Sequence, residues 1–138
     1  MKTFVDTNVV LYAYDRSEHE KWAIARETLS DLWRNRQGLV STQVLQELYV
    51  NLTRKVRVVV PRSKARALVA RYGRWPVYAI TTGDILEAAD LETRHSLSFW
   101  DALIVVAAAR SGAERLLSED LQHGRTIAGV RIENPFRP

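Results

Sequence analysis

At 138 residues and 15.8 kDa, with 46% hydrophobic and 26% charged residues, the chain has the composition of a single globular domain over residues 1–138 and not that of a disordered tail. Its longest apolar run, Ala102 to Ala109, is far short of the ~20 residues that span a bilayer, and the absence of cysteine rules out disulfides, thiolate zinc sites and thiol nucleophiles. The net charge of +4 is unevenly spread, since residues 48–83 hold eight bases and no acid while both flanks are net acidic.

A soluble, cytoplasmic protein without a membrane span or leader is therefore expected. Thr3-Phe4-Val5 reads as a short strand that ends at Asp6-Thr7-Asn8, and Val9 to Tyr14 as a short buried helix. Residues 18–36 carry Trp22, Ala25, Leu29, Leu32 and Trp33 at three- and four-residue spacing, which predicts an amphipathic helix closed by Gly38. Leu39-Val40 is a second strand. Ser41-Thr42 caps a helix whose apolar face is Val44, Leu45, Leu48, Tyr49 and Leu52, running to about Lys55. Pro61 opens a helical piece over 62–73, and Trp75-Pro76 ends it before a third strand, Val77 to Ile80.

Thr82 starts a helix that runs to about Arg94. Ser98 starts another, with Asp101 three residues on as in a capping box. From Ala102 to Ala109 this helix is apolar on every side, which predicts a central buried helix ended by Gly112. Arg115 to Ser118 is a fourth strand, Glu119 to Gly124 a polar loop, and Val130 to Ile132 a fifth strand. Short strands alternating with helices predict a three-layer α/β/α fold with a central, mainly parallel sheet of about five strands.

In such a sheet ligands bind beyond the carboxyl ends of the strands. Asp6 and Asp120 follow the first and fourth strands, and Asp101 sits in the first turn of the buried helix. Each also has a purely structural reading: Asp6 as a helix cap, Asp101 as a favourable charge at a helix N-terminus, Asp120 as a turn residue. Glu47 lies on the flank of its helix with no Lys or Arg three or four residues away, so a local ion pair does not explain it. If the four acids converge on one rim, their repulsion requires protons or cations, and a site of hard carboxylate oxygens selects Mg²⁺ or Mn²⁺. A metal held in that way is a common device for attack on a phosphodiester.

The basic middle fits the same chemistry. Sixteen of the twenty cations are Arg, whose planar fork suits phosphate, and Arg54, Arg57 and Arg62 beside Tyr72, Trp75 and Tyr78 form a candidate nucleic-acid surface. A solvated helix face accounts for the same composition. Several phosphate-handling folds are excluded: a receiver domain needs a late lysine, but Lys64 is the last; an Asp-x-Asp phosphatase fails because position 8 is Asn; no Gly-x-Gly loop is present for a dinucleotide.

Four segments, Phe4-Val5-Asp6-Thr7-Asn8, Gln46-Glu47, Phe99-Trp100-Asp101-Ala102 and Leu116-Leu117-Ser118-Glu119-Asp120, resemble in order and spacing those of the PIN domain. The stretch from Ser118 to Gly124, followed by Val130 to Phe136, is similar to the VapC-type toxins of toxin-antitoxin systems. The resemblance spans essentially the whole chain. It implies a Mg²⁺- or Mn²⁺-dependent endoribonuclease whose acidic quartet is Asp6, Glu47, Asp101 and Asp120, with Glu119 adjacent to the fourth acid. It further implies Thr7 and Ser118 as hydroxyls that orient the carboxylates, an RNA substrate, a small cognate antitoxin protein as partner, and a homodimer. The competing reading is a non-catalytic RNA-binding or interaction module that retains the acids as a vestige.

Overall fold

The computed structural model describes residues 1–56 and 59–138. In chain order the elements are β1 (Thr3–Val5), α1 (Thr7–Tyr12), α2 (His19–Asn35), β2 (Gly38–Ser41), α3 (Thr42–Arg54), α4 (Arg62–Tyr72), β3 (Val77–Tyr78), α5 (Thr82–His95), α6 (Phe99–Arg110), β4 (Arg115–Leu117), β5 (Thr126–Ile127) and β6 (Val130–Glu133). The strands form one sheet in the order β3-β2-β1-β4-β6-β5, parallel except where β5 runs against β6. The architecture is the expected α/β/α arrangement, with one strand more than the sequence reading anticipated. Among the described residues no helix is long and apolar enough to cross a membrane.

The sheet centre is dry because its strands are covered on both faces. All three residues of β1 and all four of β2 are buried, as is usual for parallel strands between helical layers. Helix α6 is the keystone of that packing. Ala102 to Ala108 are each buried, and the helix touches β2, β4 and β6 as well as α5. Ser98 caps its start, its Oγ accepting from the Asp101 N–H at 3.1 Å, and Gly112 follows its end with φ of 81°, where an L side chain would be strained.

Two details depart from the sequence reading. The sixth strand, β5, is only two residues long and is joined to β6 by Ala128-Gly129, both at positive φ (52° and 81°). That is the backbone of a tight primed hairpin turn, but Ala stands where Asn or Asp usually signals one. The second detail is Gly38. Helix α2 ends instead at Arg36, which takes the left-handed conformation (φ 55°), while Gly38 opens β2.

What Gly38 provides is space. A Cβ built there would lie 2.6 Å from the Trp75 ring. Trp75 is 7% exposed and Tyr72 2% exposed, and with Trp33 they form an aromatic cluster with ring centroids 5.0 to 5.4 Å apart. Tyr72 and Trp75 are therefore core residues, not a stacking surface for nucleic acid. Tyr78 likewise donates its hydroxyl to Asp84 at 2.9 Å. Because the indole is hemmed in by two other rings, Gly38→Ala is expected to cost about 1–3 kcal/mol of stability. Urea unfolding measures it; a variant as stable as the parent would show that Trp75 moves aside without loss.

Candidate metal centre

The site forms where β1 and β4 end side by side. Val5 pairs with Leu117, and the ladder continues through the Asp6 N–H, which donates to the Leu117 carbonyl at 3.0 Å. Asp6 and Ser118 therefore emerge as neighbours, and the Ser118 hydroxyl donates to Asp6 Oδ2 at 2.9 Å. The other Asp6 oxygen accepts from the Thr7 N–H at 2.7 Å, capping α1. One carboxylate thus caps a helix and also lines the pocket.

Asp101 arrives from the first turn of α6 and Asp120 from the loop after β4. One carboxylate oxygen from each of Asp6, Asp101 and Asp120 lies within 4.8 Å of the others. A pocket of about 130 Å³ is lined by these three together with Glu47, Asn8 and Trp100. Glu47 stands at the edge of the cluster, its Oε1 accepting from Thr7 Oγ1 at 2.6 Å and its Oε2 from Gln43 Nε2 at 3.3 Å. Asn8 Nδ2 donates to Asp120 Oδ2 at 3.0 Å. Thr7 and Ser118 are both buried, and each donates its hydroxyl to one carboxylate.

Among the described residues, no Lys or Arg forms an ion pair with any of the four acids. The electrostatics follow from that. Burial pushes the Asp6 carboxyl up to about 7, against the hydrogen bonds from Ser118 and Thr7, and the charges of Asp120 and Asp101 add to the rise. Asp101 is raised too, by burial first, with Ser98 opposing and the charges of Asp120 and Glu47 adding. Hard oxygen donors that are crowded, partly dehydrated and short of positive charge fit a hard divalent cation.

The sequence profile of the PIN domain matches residues 3–127. The chain belongs to the PIN domain family. No curated protein matches it significantly in sequence. Two solved structures share the fold: VapBC2 from Rickettsia felis bound to a DNA fragment from the promoter (TM-score 0.67, 18% identity, 97% of this chain and 98% of that one), and Mycobacterium tuberculosis VapC20, a sarcin-ricin loop cleaving toxin (TM-score 0.65, 20% identity, 86% and 92%).

Within this PIN fold the neighbouring acid Glu119 turns away from the cluster. It accepts from the Tyr12 hydroxyl at 2.8 Å and pairs with Lys21, so Asp120 alone of the two faces the pocket. Arg54 and Arg62 are exposed at the end of α3 and the start of α4 and do not line the acidic pocket; Arg57 lies outside the described residues. The base that lines the adjoining groove is Lys55. Asn8, Gln43 and Trp100 also line the pocket, and nothing in their local sequence alone sets them apart. Asn8 and Trp100 do sit inside the family-like segments, directly beside Thr7 and Asp101, whereas Gln43 is recognisable only as one helical turn before Glu47.

The raised Asp6 carboxyl has a consequence for the metal-free protein. Asp6 holds its proton more tightly folded than unfolded, so its stabilising contribution is complete below about pH 4 and is lost as pH rises towards 7. Asp6→Asn is expected to remove that loss and to stabilise the metal-free protein at pH 8 by on the order of 2–4 kcal/mol. Chelator-treated samples unfolded at pH 4.5 and pH 8 test it; equal loss on going to pH 8 in both proteins would contradict it.

Proposed function

We propose that this PIN domain is a Mg²⁺- or Mn²⁺-dependent endoribonuclease and the toxin of a toxin-antitoxin pair. The observation that carries the reading is the unneutralised cluster of Asp6, Asp101 and Asp120 at the carboxyl ends of parallel strands. RNA as the substrate is supported by the likeness in fold to VapC20, and a protein partner by the likeness to VapBC2. Assembly as a homodimer belongs to the same proposal.

Asp6, Asp101 and Asp120 would hold the cation, which when bound supplies positive charge to the phosphate and makes a water molecule more acidic. Ser118 and Thr7 keep the Asp6 and Glu47 carboxylates from rotating away. Glu47, at the edge of the cluster, accepts the proton of the attacking water. The water oxygen bonds to phosphorus, one phosphorus–oxygen ester bond breaks, and the departing oxygen takes a proton from solvent. Exposed Arg54 and Arg62 are assigned to the RNA backbone at a distance from the cut.

The test combines stability with activity. Metal that binds only the folded state at a hundredfold excess over its Kd adds about 2.7 kcal/mol, which is roughly 10 °C of Tm at this size. Asp101→Asn keeps the shape and removes one charge. The variant is expected to be at least as stable as the parent without metal, to show a smaller Mn²⁺ shift, and to cleave RNA at least ~100-fold more slowly, a loss of about 2.7 kcal/mol of barrier lowering. Normal cleavage by Asp101→Asn would end the catalytic assignment.

Inhibition follows from the same charge. A partner would most simply block the pocket by placing an Arg or Lys side chain among the carboxylates in place of the cation. Replacing every Arg and Lys in the C-terminal tail of the cognate antitoxin should therefore relieve inhibition of cleavage; inhibition that survives the replacement rules this mode out.

A further inference from the structure

Trp100 is 62% exposed, although a tryptophan ordinarily recovers much of its hydrophobic free energy by being covered. Its ring meets Phe99 edge-on, with centroids 5.2 Å apart. It stands one residue before Asp101, on the rim of the acidic pocket, and it also lines a second hollow. That groove, about 420 Å³, runs along α3 past Gln46, Val50 and Asn51 to Lys55. Gln43, Glu47, Asn51 and Trp100 line both hollows, so the groove is continuous with the acidic pocket.

Gln43 supplies the second observation. Its side chain is almost fully buried, with the residue 5% exposed. Its Nε2 donates to Glu47 Oε2 and to the Trp100 carbonyl, each at 3.3 Å. Both partners are acceptors, so the orientation of the amide is settled. The remaining atom, Gln43 Oε1, is buried and has no hydrogen-bond partner among the described residues. An unsatisfied buried acceptor is costly, and the residue that carries it lines both hollows. A ligand that brings an N–H or O–H to this wall would remove the cost.

We propose that Trp100 and Gln43 form a subsite for one unpaired nucleobase beside the phosphodiester that is cut. The base stacks on the exposed face of the Trp100 indole, and an N–H or O–H of the same nucleotide donates to Gln43 Oε1. Gln46 and Asn51 offer further polar contacts along the groove, and Lys55 meets the next phosphate. The ligand class follows from this order of groups: a phosphate position among carboxylates, an aromatic platform next to it, an orphan acceptor beneath, and a cation further along. A base within a duplex has both faces covered by its neighbours, so the strand must be single at this point. The subsite rests on reading the acidic pocket as the place where the phosphodiester lies.

The test is binding of a short single-stranded oligoribonucleotide to the full chain in Ca²⁺, with the RNA shown intact by gel afterwards. The fluorescence of the parent minus that of Trp100→Phe isolates Trp100 from Trp22, Trp33 and Trp75. RNA is expected to quench that component, and the same sequence in duplex form is not. Trp100→Ala should bind ~5- to 150-fold more weakly, the range that loss of one aromatic stack produces. Trp100→Phe should stay close to the parent in affinity, and the exposed position keeps the Tm of both variants unchanged. An unquenched Trp100 component, or equal affinity for all three proteins, overturns the subsite, as does quenching by a cognate antitoxin alone. Cleavage in Mn²⁺ is assayed separately. A parent protein that shows the quenching but does not cut RNA supports the base platform and sinks the nuclease reading; cutting without any Trp100 effect sinks the platform alone.

Discussion

The repulsion between Asp6, Asp101 and Asp120 is the constraint around which one edge of this protein is arranged. Carboxylate oxygens within 4.8 Å of one another would separate if their side chains were free, so each is restrained. Asp6 is held by the Ser118 hydroxyl and the Thr7 N–H, and Asp120 by the Asn8 amide. Asp101 is held by the helix it begins. These are all hydrogen-bond donors or helix dipoles, and none is a full positive charge. The restraint therefore fixes geometry without neutralising the cluster, and the Asp6 carboxyl is raised by burial first, with the charges of Asp120 and Asp101 adding to it.

Such a cluster is tolerable only on a stiff support. Asp6 and Ser118 sit in register because Val5 and Leu117 are paired in the sheet, and β4, with β2 and β6, packs against α6, whose residues Ala102 to Ala108 are all buried. A dense core resists the small shifts that would relieve the repulsion. The same helix carries Asp101 at its first turn, so the element that seals the core also delivers a carboxylate to the rim. Stability stored in the core is in effect spent at the site, a division of labour common where function needs strained or charged groups.

How much of this was legible in the sequence depended on whether the signal was local. Strand β1 and the cap at Ser41 were readable from a few adjacent residues, and so was the buried stretch of α6. Asp6, Asp101 and Asp120 were readable because they follow strand ends or start a helix. Gly38 was not, because its reason is a ring at position 75 that no local pattern reveals. Tyr72 and Trp75 stand within a basic segment, as a nucleic-acid surface would, but Tyr72 ends an amphipathic helix that buries one face whatever the charge of the other, and Trp75, beyond that helix, packs against it. Strand β5 has no local signal, because two residues carry no periodicity and Ala128 hides its turn. Glu47 is marked in the sequence by its missing ion pair, while its actual partners, Thr7 and Gln43, lie on another element and one turn away. The role of Gln43 is tertiary throughout, since only packing shows that its amide is buried with one acceptor unspent.

Two helices in this chain begin with nearly the same local signal and end with opposite electrostatics. Thr81 caps α5 with Asp84 three residues on, and Ser98 caps α6 with Asp101 three residues on. At α5 the box closes: Asp84 accepts from the Thr81 N–H at 2.8 Å and the Tyr78 hydroxyl at 2.9 Å, and pairs with Arg110 Nε at 3.0 Å. Burial would raise the Asp84 carboxyl, yet these donors outweigh it and hold it below its ordinary range. At α6 the Ser98 hydroxyl takes the Asp101 N–H, but no cation faces the Asp101 carboxyl among the described residues, and it is raised by burial first and then by the charges of Asp120 and Glu47. Arg110 could have served either acid only if the helix had brought it near; it lies at the far end of α6, beside Asp84 and Glu87. The Arg110 cation is thus placed beside a structural acid and lies a helix length away from the cluster of Asp6, Asp101 and Asp120. A capping pattern therefore says where a helix starts, and the charges on neighbouring elements decide whether its acid is structural or free to bind a cation.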